Sequence, residues 1–111
     1  MSDLKELDEL WGTTIYGLEI DYLLNRSRFY IKFPYRKGIK FYELSFERMF
    51  SFHMKNEDAS PGRYTELTEI YSKKTKKGYE FTLLILDEDY TIDIECEDWK
   101  LTLLEEYNEN D

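Results

Sequence analysis

The tightest constraint on this chain is a strict alternation near its C-terminal end. Tyr90, Ile92, Ile94 and Cys96 are apolar, while Thr91, Asp93, Glu95 and Glu97 between them are polar. Side chains that change face at every residue belong to a strand, so this stretch predicts one face on a core and one in water. The same period recurs upstream. Leu18, Ile20, Tyr22 and Leu24 alternate with Glu19 and Asp21, and Phe29, Ile31 and Phe33 alternate with Tyr30 and Lys32. With Asn25-Arg26-Ser27 as the turn, the two stretches predict a hairpin. Aromatic residues make up 17% of the chain and Ala59 is its only alanine, which favours strands over a helical bundle.

The other segments fit around these. Leu4, Leu7 and Leu10 with Trp11 form a helical stripe that Ser2 or Asp3 caps and Gly12 ends, a short helix within residues 1–11. Pro34 stops the second strand and Lys37-Gly38 turns the chain. In residues 39–46 the inward parity changes between Phe41 and Leu44, which implies a bulge, and Phe50, Phe52 and Met54 resume the alternation. Asn56 to Arg63, with Ser60-Pro61-Gly62, reads as a loop. Tyr64, Leu67, Ile70 and Tyr71 fit a helical turn slightly better than a strand, so residues 64–72 stay open between the two. Tyr79 to Leu86 is apolar on both faces and predicts a central strand covered on each side. Asp87-Glu88-Asp89 is the turn before the last alternating run, which Leu101 and Leu103 complete. The whole is a mainly β, single-domain chain: an antiparallel meander of six or seven strands over residues 13–105, a curved sheet or partial barrel, with a polar tail over 106–111.

Composition narrows the setting. A chain of 111 residues holds one core, since two domains would each bury too little surface. Its single cysteine, Cys96, allows no internal disulfide. The start MSDLKELDELW has neither a basic region nor an apolar run, and Leu83-Leu84-Ile85-Leu86 is the longest purely apolar run. These features predict a reducing, cytoplasmic location and no membrane partner. The formal net charge is −9, which opposes phosphate backbones and so disfavours nucleic acid. The charge is also uneven: residues 26–55 hold eight basic and two acidic side chains, whereas residues 87–111 hold eleven acidic ones and only Lys100.

A search for chemistry yields little. His53 sits between Phe52 and Met54, on the wetter face by alternation, with no Ser or Cys at a fixed spacing to activate. One Cys and one His cannot supply the four soft ligands of a Cys/His zinc site. No phosphate-binding glycine loop occurs, so no cofactor and no catalytic residue is expected. Two alternatives remain open. Asp87, Asp89 and Asp93 could serve a small metal-dependent enzyme or metal-binding protein, although they lack the spacing of a calcium loop. Residues 26–42 could form a single-stranded RNA-binding sheet, with Phe29, Tyr30, Phe33 and Tyr35 among Arg26, Arg28, Lys32, Arg36 and Lys37. The feature left over is acidic. Asp93, Glu95 and Glu97 share a strand face, Asp98 follows, and Asp87, Glu88 and Asp89 occupy the turn before it. Like charges on one face repel. They serve either solubility or the docking of a cationic protein, and the sequence leaves these two readings level.

In layout the chain resembles small single-domain immunity proteins of bacterial polymorphic-toxin and contact-dependent inhibition systems. The resemblance lies in a short helix before Trp11-Gly12, the strand Ile15-x-x-Leu18-x-Ile20, the stretch Ile39-x-Phe41-x-x-Leu44-x-Phe46, and the late hairpin ending Tyr90-x-Ile92-x-Ile94-x-Cys96-Glu97-Asp98. It implies a non-catalytic cytosolic inhibitor that binds a cognate toxin domain, often a cationic nuclease, and blocks it. No residue roles come with it. The partner-binding expectation therefore rests on the acidic residues 87–89, 93, 95, 97 and 98.

Overall fold

A computed structural model describes residues 4–56, 66–85 and 90–108. A 3-10 helix, Leu4–Leu10, precedes six strands: β1 (Thr13–Asp21), β2 (Arg26–Tyr35), β3 (Gly38–Asn56), β4 (Glu66–Lys74), β5 (Tyr79–Ile85) and β6 (Tyr90–Asn108). The strands close into an antiparallel barrel in the order β1-β2-β3-β6-β5-β4. The mainly β, antiparallel expectation holds, but the connectivity is not one simple meander. Two three-stranded meanders, β1-β2-β3 and β4-β5-β6, join through the long β3–β6 pair, which runs from Gly38 opposite Asn108 to Asn56 opposite Tyr90. A short β1–β4 contact, Thr13 with Leu67 and Thr14 with Glu66, closes the ring. Among the described residues no helix is long and apolar enough to cross a membrane.

The inward residues are the apolar set of each strand. Phe29 and Ile31 on β2, Leu44 and Phe46 on β3, Phe81, Leu83 and Ile85 on β5, and Ile92, Ile94 and Cys96 on β6 are buried. An aromatic chain crosses the interior: Phe29 to Phe46 at 5.8 Å, Phe46 to Phe81 at 4.7 Å and Phe81 to Trp99 at 6.0 Å between ring centroids. Such edge and tilted contacts add to the gain from burying the ring area. Leu7 and Leu10 of the helix are buried in the same cluster. The Trp11 indole N–H donates to the Ile70 carbonyl at 3.3 Å and Gly12 N–H to the Leu67 carbonyl at 2.7 Å, which ties the helix to β4.

Several segments differ from the expectation, each for a local reason. The β1–β2 turn lies at residues 22–25, so Tyr22 and Leu24 are exposed turn residues and not inward strand positions. The Asp21 carboxylate accepts from the backbone N–H groups of Leu23 and Leu24, both at 3.1 Å, and Asn25 adopts φ +50°. That side chain competes with the strand ladder and ends it early. Residues 66–74 are strand β4, which removes the helical alternative for the described part of 64–72. A register shift against β5 between Leu67 and Glu69 inserts one residue, so Leu67 and Ile70 both face the core three positions apart and imitate a helical period. β5 is covered on one face only: Glu80 is exposed and Thr82 and Leu84 are half-buried. The parity change in β3 is real, with a shift against β6 at Phe41/Tyr42. It turns Phe41 outward, against Tyr16 at 5.7 Å and Tyr107 at 5.9 Å. β6 continues to Asn108, so residues 106–108 of the expected tail are strand. Apart from Asn56, which ends β3, the loop expected at 56–63 lies outside the described residues.

The β4–β5 turn depends on Gly78. Thr75 N–H donates to the Gly78 carbonyl at 2.8 Å, and Gly78 N–H returns a bond to Thr75 Oγ1 at 3.1 Å. Gly78 has φ +152°, and a Cβ there would collide with the Cys96 carbonyl oxygen and stand 2.8 Å from Glu97 Cα. Gly78→Ala is expected to lower unfolding free energy by about 2 kcal/mol or more. Guanidinium unfolding at unchanged m-value checks this; a loss below about 0.5 kcal/mol would show that the turn relaxes freely.

Candidate functional site

The outer face of β6 and its two neighbours carries the acidic surplus. Alternation sends Ile92, Ile94 and Cys96 inward and leaves Asp93, Glu95 and Glu97 exposed, as does the next residue, Asp98. Pairing supplies the neighbours. Asp93 stands between Thr82 of β5 and His53 of β3, and Glu95 stands between Glu80 of β5 and Ser51 of β3. Thr82 Oγ1 donates to Asp93 Oδ1 at 2.8 Å. His53 is exposed on this face, as its position between Phe52 and Met54 implies.

Of the seven acidic residues singled out in the sequence, Asp87, Glu88 and Asp89 lie outside the described residues. The other four share β6 but divide into two settings. Glu97 and Asp98 face Arg48, whose Nε donates to Glu97 Oε2 at 2.6 Å and whose Nη2 stands 3.7 Å from Asp98 Oδ2. The hydrogen bond to Glu97 holds the Arg48 guanidinium above its ordinary pKa. Among the described residues Asp93 and Glu95 have no such ion pair. Glu80 stands directly opposite Glu95, with Lys73 of β4 on its other side and Lys76 and Lys77 of the β4–β5 turn lining the same concavity, yet among the described residues neither glutamate has an ion pair. Sequence reasoning missed Glu80 because it took β5 to be covered on both faces. The signal was the alternation of Phe81, Leu83 and Ile85, which puts Glu80 outward.

Part of the basic stretch is spent on internal pairs. Arg28 lies 3.8 Å from Glu19 and 3.5 Å from Glu43, Arg26 lies 3.7 Å from Asp21, and Lys40 lies 4.0 Å from Glu106. Each pair adds little stability at the surface, yet it cancels the local field. On the β5–β6 face the exposed carboxylates Asp93, Glu95 and Glu80 stay outside such pairs. The RNA-stacking arrangement loses Phe29 to the core, and Arg28 to its two carboxylates. Among the described residues no three His, Cys, Asp or Glu side chains converge to hold a metal.

Cys96 is not an available nucleophile. It is buried beneath the acidic face, and burial pushes its thiol up to about 12. The value in the unfolded chain is about 8.5, so deprotonation favours unfolding. This contribution to stability is complete below about pH 8.5 and is lost as pH rises toward 12.

Compared with known proteins, the chain matches the YxiG-like protein family over residues 4–108. No curated protein matches it.

Cys96 should resist iodoacetamide at pH 8 in the folded protein and react fully in denaturant. Cys96→Ala should flatten the alkaline fall in stability measured by chemical unfolding above pH 9; an unchanged fall, or rapid labelling of the native protein, would contradict the buried neutral thiol.

Proposed function

We propose that the chain, which belongs to the YxiG-like family, is a non-catalytic cytosolic immunity protein that docks the outer face of β5 and β6 on a cationic toxin domain and blocks it. The observation that carries this reading is Glu80 opposite Glu95, next to Asp93, with no ion pair to either glutamate among the described residues, although Lys73 of β4 stands on the other side of Glu80. Like charges directly across an antiparallel pair weaken a sheet, so the fold does not ask for them. A basic partner does. Its approach would be steered by the acidic field, and its cations would relieve the repulsion on contact. The layout resemblance to immunity proteins supports the same role and adds the expectation of a toxin as the partner.

The test starts from the neighbouring open reading frame, where this role requires a secreted toxin with a basic C-terminal domain. Stopped-flow association of that domain with the purified chain should be fast and should slow with added salt. Replacing Asp93, Glu80 and Glu95 together by Lys should lower the association rate by at least about tenfold and weaken its salt dependence, with the thermal midpoint retained. Unchanged kinetics would remove this face from the interaction. A neighbourhood of metabolic genes with no toxin would remove the role.

A further inference from the structure

The β1–β2 turn carries an apolar group that the fold leaves outside. Leu23 is 94% exposed, Tyr22 90% and Leu24 57%. Solvent exposure of single apolar residues is ordinary, but three in succession at one tip are not covered by anything in the barrel. The backbone beneath them is firmly held. Asp21 accepts from Leu23 and Leu24 N–H and pairs with Arg26, and the Asn25 carbonyl accepts from Met49 N–H at 2.7 Å. A tip fixed in this way loses little conformational freedom when its side chains are buried by a partner.

The bond from Met49 also fixes where the tip lies. Met49 follows Arg48, which is joined to Glu97 and Asp98, so the tip lies near the middle of the acidic strand β6. Counting strands at about 4.8 Å each, the tip and Glu95 lie about 15 Å apart, within one standard interface patch of about 800 Å². At this corner Glu47, Glu97 and Asp98 act on the single guanidinium of Arg48, leaving a negative excess beside the apolar group. The whole chain carries −9. That charge repels a second copy and an anionic bilayer alike, and it complements a basic surface.

We infer that Tyr22, Leu23 and Leu24 form the anchor of the docking surface, inserted into an apolar cleft on a basic partner protein, while the carboxylates of β6 lie to one side of them as a charged rim. This rests on the binding role proposed above and divides the work within it. The rim sets the rate of encounter and the tip sets the lifetime of the complex.

The test places the photo-crosslinker p-benzoylphenylalanine at Leu23, at Glu95 and, as a control, at Lys32, in cells that express the chain naturally. Leu23 and Glu95 should both yield an adduct with one protein of high isoelectric point, identified by mass spectrometry, and Lys32 should not. With that protein purified, Leu23→Ser should raise the dissociation rate about 100-fold, leave the association rate and its salt dependence unchanged, and leave the thermal midpoint unaltered. An adduct at Glu95 alone, or a dissociation rate within twofold of the original, overturns the anchor and spares the acidic face. An adduct at Leu23 alone, with association indifferent to salt, overturns the acidic face and the basic partner. A crosslinked dimer or lipid adduct at Leu23 overturns the proposed occupant, and no adduct at any position overturns both readings.

Discussion

The β3–β6 pairing is the interaction on which this molecule depends. Each strand is 19 residues long, and together they belong to both halves of the barrel. Their first partners are β2 on one side and β5 on the other, so the two meanders meet only through this ladder and the short β1–β4 contact. A sheet that long must bend to close. It does so where β3 shifts register between Met49 and Ser51, beside Arg48 at φ +50°. Phe46, Cys96 and Trp99 stand at the bend, buried, and the aromatic chain from Phe29 to Trp99 fills the angle it creates. The ion pairs of Arg48 with Glu97 and Asp98 span the same corner from outside.

How legible this was depended on whether the causes were local. The run from Tyr90 to Cys96 has no bulge, and its faces follow from period two alone. Phe29 and Ile31, Cys96 as core, and His53 on the wet side follow in the same way. Where a residue is inserted, period two misleads. Leu67 and Ile70 face one side only because of the bulge between Leu67 and Glu69, and no property of those residues alone distinguishes that from a helical turn. Tyr22 and Leu24 alternate correctly with Asp21 and were expected inside. The competing hydrogen bonds of the Asp21 carboxylate turned the chain sooner. The β3–β6 partnership joins residues up to 70 positions apart, from Gly38 to Asn108, and nothing in the local pattern encodes that choice.

The candidate site shows the same division. Asp93, Glu95, Glu97 and Asp98 were found from strand alternation, but their differing chemistry came from neighbours supplied by distant strands. Arg48 answers Glu97 and Asp98, and Glu80 aggravates Glu95. The apolar tip was invisible for a related reason: a hydrophobic residue in an alternating run is assigned to the core unless the turn position is known. The surface thus combines an acidic face with a held apolar projection to one side of it. Docking on another protein uses both, whereas solubility uses only the first.

The central claim is that the carboxylate pair on β5 and β6 is kept against the interest of the fold. The direct measurement is equilibrium unfolding of Glu80→Gln, Glu95→Gln and the double variant at low ionic strength. Glu95→Gln should raise stability by about 0.2–1 kcal/mol, Glu80→Gln should raise it less because Lys73 faces Glu80 from β4, the cycle should return a repulsive coupling of similar size, and added salt should shrink it. A loss of stability on neutralising Glu95, or a favourable coupling in the cycle, would mean that the pair holds the barrel together, and the docking reading would lose the observation it stands on.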